Sequence, residues 1–165
     1  MTAVGRVLVA GVGNVFFGDD GFGVEVARRL AQVALPAGVE VADVGIGGVH
    51  LAYQLLDGYD TLILVDAVGR KAPPGTVFVI EPDVRDLGDD LDAHGSNPAA
   101  VLELARTLGC TLPRVLLVGC VPAELEEGIG LSPPVKQAVE ETVRLIPTLV
   151  QPSHPEEHPW SLASS

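Results

Sequence analysis

A chain of 165 residues with 47% hydrophobic side chains has the length of one domain and enough apolar content for a core, which excludes an intrinsically disordered chain. With 22 acidic against 10 basic residues and a formal charge of −12, it offers no basic face to nucleic acid or to an anionic membrane surface. No apolar run is long enough to span a bilayer, and the opening MTAVGRVLVAGVGN is too short in apolar residues and too broken by glycine for a signal peptide, so a cytoplasmic location is expected.

Apolar runs alternate with helical patterns along the chain. Arg6–Gly11 (RVLVAG) predicts a buried strand, and Gly21–Val33 a helix with Val24, Ala27, Leu30 and Ala31 on one face. Val39–Asp43 predicts a second strand, His50–Leu56 a short helix, and Asp60–Asp66 (DTLILVD) a third strand, apolar enough for the middle of a parallel sheet. Thr76–Ile80 is a fourth strand. Asn97–Leu108 is a helix with Pro98 at its first position and Gly109 past its end. Arg114–Val118 is the fifth strand, and Pro134–Leu149 the last helix. The alternation implies a three-layer α/β domain over residues 1–150: an open, mostly parallel twisted sheet with helices on both faces, phosphorylase/hydrolase-like in arrangement. Residues 151–165, polar and proline-rich, are expected to form a loose tail.

The first strand runs into GVGNVFFGDDGFGV. A dinucleotide fingerprint G-x-G-x-x-G fails there, because the position five after Gly11 is Phe16. The loop instead delivers two adjacent acids, Asp19 and Asp20, to a helix start. One of them suffices to cap orphan amides, which leaves the other to explain. Asp66 ends an apolar strand, at the sheet edge where open α/β folds bind ligands; a turn-forming Asp is the plainer reading. His94, in GDDLDAHGSNP, lies in a loop leading into the helix near Pro98, where a solvated histidine is the plainer reading. Together, two carboxylates and an imidazole would make three metal ligands with open positions remaining, the pattern of a site that acts on something.

Other polar residues carry less. Asp43 ends the second strand, His50 is expected on a helix surface, and His154 and His158 fall in the tail. Ser132 has no G-x-S-x-G elbow. Cys110 and Cys120 are read as reduced, core or near-core thiols without an activating motif.

The ordered set GVGNVFFGDDGFGV, DVGIGGVHLAYQLL, LILVDAV, the His94 loop and GIGLSPPV resembles the nickel–iron hydrogenase maturation endopeptidases, from about residue 6 to about residue 148. The resemblance implies a peptidase, grouped with aspartic-type endopeptidases, that removes a C-terminal extension from the hydrogenase large-subunit precursor after nickel insertion. It also implies a metal site of Asp20, Asp66 and His94, with nickel supplied by the precursor. The first ligand is often Glu in that family; Asp20 keeps the carboxylate on an arm one methylene shorter. Register with the family motif makes Asp20 the ligand and leaves Asp19 to local backbone bonding. The expected partner is the nickel-loaded precursor, with no nucleic acid and no membrane, and a monomer is expected. The alternatives are a non-proteolytic nickel-binding or delivery module using the same three residues, and a nucleotide-binding enzyme.

Overall fold

A computed structural model describes residues 5–46, 48–82 and 98–150. Five strands, β1 (Val7–Val12), β2 (Val39–Gly45), β3 (Thr61–Ala67), β4 (Val77–Ile80) and β5 (Arg114–Cys120), form one sheet in the order β2-β1-β3-β5-β4. Among the described residues four α-helices accompany them: α1 (Phe22–Leu30), α2 (Gly48–Leu55), α3 (Pro98–Thr107) and α4 (Pro133–Val150). Among the described residues no helix is long and apolar enough to cross a membrane.

The alternation of side chains along a strand builds the two cores. In β1, Leu8, Ala10 and Val12 point into the layer covered by α2 and α3, where they meet Leu51, Leu55, Leu102 and Ala105. Val7 and Val9 point the other way, to Phe22, Val26 and Leu30 of α1 and Val135, Val139 and Ile146 of α4. β3 repeats the pattern with Leu62 and Leu64 on one face and Ile63 and Val65 on the other. This two-sided burial is why DTLILVD shows no polar alternation.

β1 pairs in parallel with β2 and β3, and β3 with β5, as expected. β4 is the strand that makes the sheet mostly rather than wholly parallel: it runs antiparallel to β5, with Val77 opposite Cys120 and Ile80 opposite Leu117. The cause lies in the connection. A parallel return needs a crossover of about a dozen residues or more, usually helical. Residues 68–76 hold no helix, so β4 starts at the sheet edge where β3 ended and runs back.

The helix ends shift as local chemistry requires. α1 begins at Phe22 rather than Gly21 because a 3-10 turn, Gly18–Gly21, precedes it. It ends at Leu30, where Gln32 and Val33 bond to Arg29 and Leu30 instead of one residue further back, the usual tightening of a last turn. α2 starts at Gly48, two residues before the expected His50. The expected tail falls on residues 151–165, outside the described residues.

Candidate functional site

Strand order reverses at β1. The chain passes from β1 outward to β2, then returns to place β3 on β1's other side. The carboxyl ends of β1 and β3 therefore bracket a crevice, the usual ligand position in open α/β sheets. Two acids reach it. Asp66 is the penultimate residue of β3, opposite Gly119 of β5. Asp20 is in the 3-10 turn between β1 and α1. Each is 8% exposed, an unusual burial for a carboxylate.

Glycines allow this approach. Gly13, at φ 140°, lets the backbone leave β1 sharply. A β-carbon there would collide with the Asp20 carbonyl oxygen and stand 3.6 Å from Asp66 Oδ1. Gly23, in the first turn of α1, presses against the ends of both strands, where a β-carbon would collide with the carbonyl oxygens of Val12 and Val65.

The Asn14 amide donates to Asp20 Oδ2 at 2.8 Å, and the Ala67 amide to Asp66 Oδ1 at 2.8 Å. Burial pushes the Asp66 carboxyl well above its ordinary value, and the negative charge of Asp20 pushes it further; the single Ala67 amide bond opposes both weakly. Two buried carboxylates in each other's field are a donor set that a divalent cation would neutralise. Among the described residues, no group of three or more His, Cys, Asp or Glu is placed to hold a metal ion; Asp20 and Asp66 form a pair. His94, expected as the third member, lies outside the described residues.

The expectation that one acid of the pair caps the helix is corrected. The residue preceding α1 is Gly21, and neither the 3-10 turn nor α1 has a side-chain cap. Asp20 bonds back to Asn14. Asp19 does bond backbone, but not locally. It is fully buried and accepts from the amides of Ala123, Glu124 and Ser132 and from the Ser132 hydroxyl, across more than a hundred residues of sequence. Burial alone would raise its pKa, but the Ser132, Glu124 and Ala123 hydrogen bonds outweigh burial and hold it below the ordinary carboxylate value.

The remaining polar residues settle. The Ser132 hydroxyl donates to the buried Asp19 at 2.8 Å and has no G-x-S-x-G elbow around it. Cys120 is buried, and burial first, then the charges of Asp19 and Glu141, push its thiol up to about 12, which leaves it unreactive. Cys110 is a half-buried free thiol. Asp43 lies within β2 and pairs with Arg28 at 3.5 Å on the surface. His50 is exposed on α2, as expected.

Comparisons with known proteins converge. The family model described as hydrogenase maturation protease matches residues 24–148, a span that contains Asp66 and begins four residues after Asp20. The hydrogenase expression/formation protein HupD of Rhodobacter capsulatus is 36% identical over 140 residues, covering 82% of this chain and 66% of that protein. The hydrogenase 2 maturation protease of Escherichia coli is 36% identical over 139 residues, covering 82% of this chain and 84% of that one. Among solved structures, the hydrogenase maturating endopeptidase HybD from E. coli superposes with a TM-score of 0.75 at 32% identity, covering 86% of this chain and 89% of that one.

Proposed function

The chain belongs to the hydrogenase maturation protease family, and we propose that it removes the C-terminal extension of a nickel–iron hydrogenase large-subunit precursor once nickel has been inserted. The observation that carries this reading is the convergence of two buried acids, Asp20 and Asp66, on the crevice between β1 and β3. In this reading Asp20, Asp66 and His94 complete the coordination of nickel that arrives with the precursor, so that metal loading is the recognition signal. The donor types fit: carboxylate and imidazole are ordinary ligands for such an ion.

Nickel, when present, supplies Lewis acidity toward the scissile carbonyl or a water. The chain's own residues do the rest. One carboxylate of the Asp20–Asp66 pair is suited to take a proton from the attacking water. In this reading the enzyme is aspartic in the sense that carboxylates rather than a covalent nucleophile carry the chemistry; the Cys120 thiol is buried and pushed up to about 12. Phe16 and Ile129, 60% and 79% exposed, stand on two segments joined by the Gly128 amide bond to the Phe16 carbonyl, and they give the precursor's chain an apolar lip. We place the enzyme in the cytoplasm as a monomer, where the precursor is assembled.

Incubated with the nickel-loaded precursor of its own hydrogenase, the protein is expected to release one C-terminal peptide, read by intact mass. Asp20→Ala and His94→Ala are each expected to remain folded by circular dichroism and to release none. Full activity in both variants would remove these residues from the site.

A further inference from the structure

We propose that Asp19 is a positioning residue of this site: it clasps the loop of residues 121–132 to the turn that carries Asp20, and thereby holds the Asp20 carboxylate at the crevice. The proposal rests on the reading of Asp20 as a metal-binding group.

The geometry is that of a clasp. Asp19 Oδ2 accepts from Ala123 N at 2.8 Å, Glu124 N at 2.9 Å and Ser132 Oγ at 2.8 Å, while Oδ1 accepts from Ser132 N at 2.7 Å. Backbone bonds knit the same segments on either side: Gly18 N to Gly128 O, Asp19 N to Glu124 O, and Gly128 N to Phe16 O. Ser132 immediately precedes α4, and its carbonyl accepts the first helical bond, from Lys136 N. The Asp19 charge thus sits at the positive end of an 18-residue helix.

A merely adhesive contact would not need this chemistry. Packed apolar side chains join two loops at no desolvation cost, whereas a carboxylate at 0% exposure must recover its lost hydration through its donors. What directed hydrogen bonds add is orientation. Asp19 and Asp20 are adjacent, so fixing one carboxylate from both sides fixes the peptide plane that aims the other. Asp20 has the Asn14 amide on one oxygen, a bond within its own turn. The clasp ties that turn to the opposite side of the crevice.

The clasp also needs a carboxylate specifically. Every partner group is a donor, so an amide at this position faces an N–H with its own NH2 in either orientation. Asp19→Asn, though isosteric, breaks the clasp.

The test measures kcat and KM on nickel-loaded precursor, normalised to the folded fraction at assay temperature. Asp19→Asn is expected to lose about 10- to 100-fold in kcat/KM per folded molecule, as groups that orient a metal ligand do. Ser132→Ala, which removes one of four donors, is expected to lose less, and Ser132→Thr, which keeps the hydroxyl, to restore activity. Amide exchange at Ala123, Glu124 and Ser132 should accelerate in Asp19→Asn while β1 and β3 stay protected. If Asp20→Asn is inactive but folded Asp19→Asn stays within about threefold of the unsubstituted protein, the clasp only stabilises and the proposal falls, while the site reading stands. Should Asp19→Asn fail to fold, equal activity in Ser132→Ala and Ser132→Thr overturns it. An active Asp20→Asn overturns the site reading itself, and the proposal with it.

Discussion

Asp66→Asn is expected to stop precursor processing and, in the same molecule, to raise the stability of the fold at neutral pH. The two effects share one cause. Asp66 is buried beside Asp20, and both its burial and that neighbouring charge oppose ionisation. A charged group held against its preference costs folding energy, and active sites commonly carry such a cost. The sign follows from linkage. The folded-state pKa lies above the ordinary 3.8, so the folded state binds the proton more tightly than the unfolded chain does. The favourable contribution of the protonated acid is present below 3.8 and is lost as pH rises toward the raised folded value. Asn has no such dependence. The stability gap between the variant and the unsubstituted protein should therefore be small in acid and widen upward in pH, read as melting temperature across a pH series. Activity moves the other way. On the proposed reading of Asp66 as part of the site, its loss removes about 4 kcal/mol of transition-state stabilisation, on the order of a thousandfold in kcat/KM. Retained processing without a gain in melting temperature would show that Asp66 is an ordinary turn-forming acid.

Gly23→Ala is expected to destabilise the fold strongly and to lower processing with it. Gly23, the second residue of α1, lies against the ends of β1 and β3, and a β-carbon there meets the carbonyl oxygens of Val12 and Val65 and the Val12 amide nitrogen. These are backbone atoms of buried strands, so no flexible side chain can yield. Forced overpacking of this kind costs about 3 kcal/mol, and at this size each kcal/mol lowers the melting temperature by about 2–4 °C. The displaced helix also lifts the turn preceding it, so Asp20 moves away from Asp66 and processing falls along with stability. Gly69→Ala is the control. Gly69 is exposed, with open space where its β-carbon would go, and the substitution should stay within about 0.5 kcal/mol by urea titration. Equal stability of the two variants would contradict the tight contact between α1 and the strand ends.

Most of the architecture was legible because burial on both faces leaves a strong local imprint. VLVAG and LILVD carry it without interruption, and the acid ending the second run marked the sheet's carboxyl edge as a candidate site. The direction of β4 was less legible: TVFVI reads alike in either direction, and only the absence of a helix in residues 68–76 decides it. Asp19 and Asp20 show the limit most clearly. Local pattern gives two adjacent acids at a helix start and assigns a cap, yet neither the 3-10 turn nor α1 carries a side-chain cap bond from its N-cap residue. Asp19's donors lie 104 to 113 positions away, and no spacing rule joins them. The Ser132 hydroxyl, just before Pro133, is spent on Asp19 rather than on the first amides of α4. Asp66 was legible as an acid ending an apolar strand, whereas the choice of Asp20 over Asp19 came from register with the family motif rather than from local pattern; the place of His94 falls outside the described residues.

The most direct test of the central claim is the intact mass of the large-subunit precursor, isolated with and without nickel, after incubation with this protein. The account predicts loss of one C-terminal peptide from the nickel-loaded form alone. Cleavage of both forms alike would contradict nickel as the recognition signal while keeping the peptidase. No loss from either form would contradict the peptidase itself and leave a module that binds or delivers nickel.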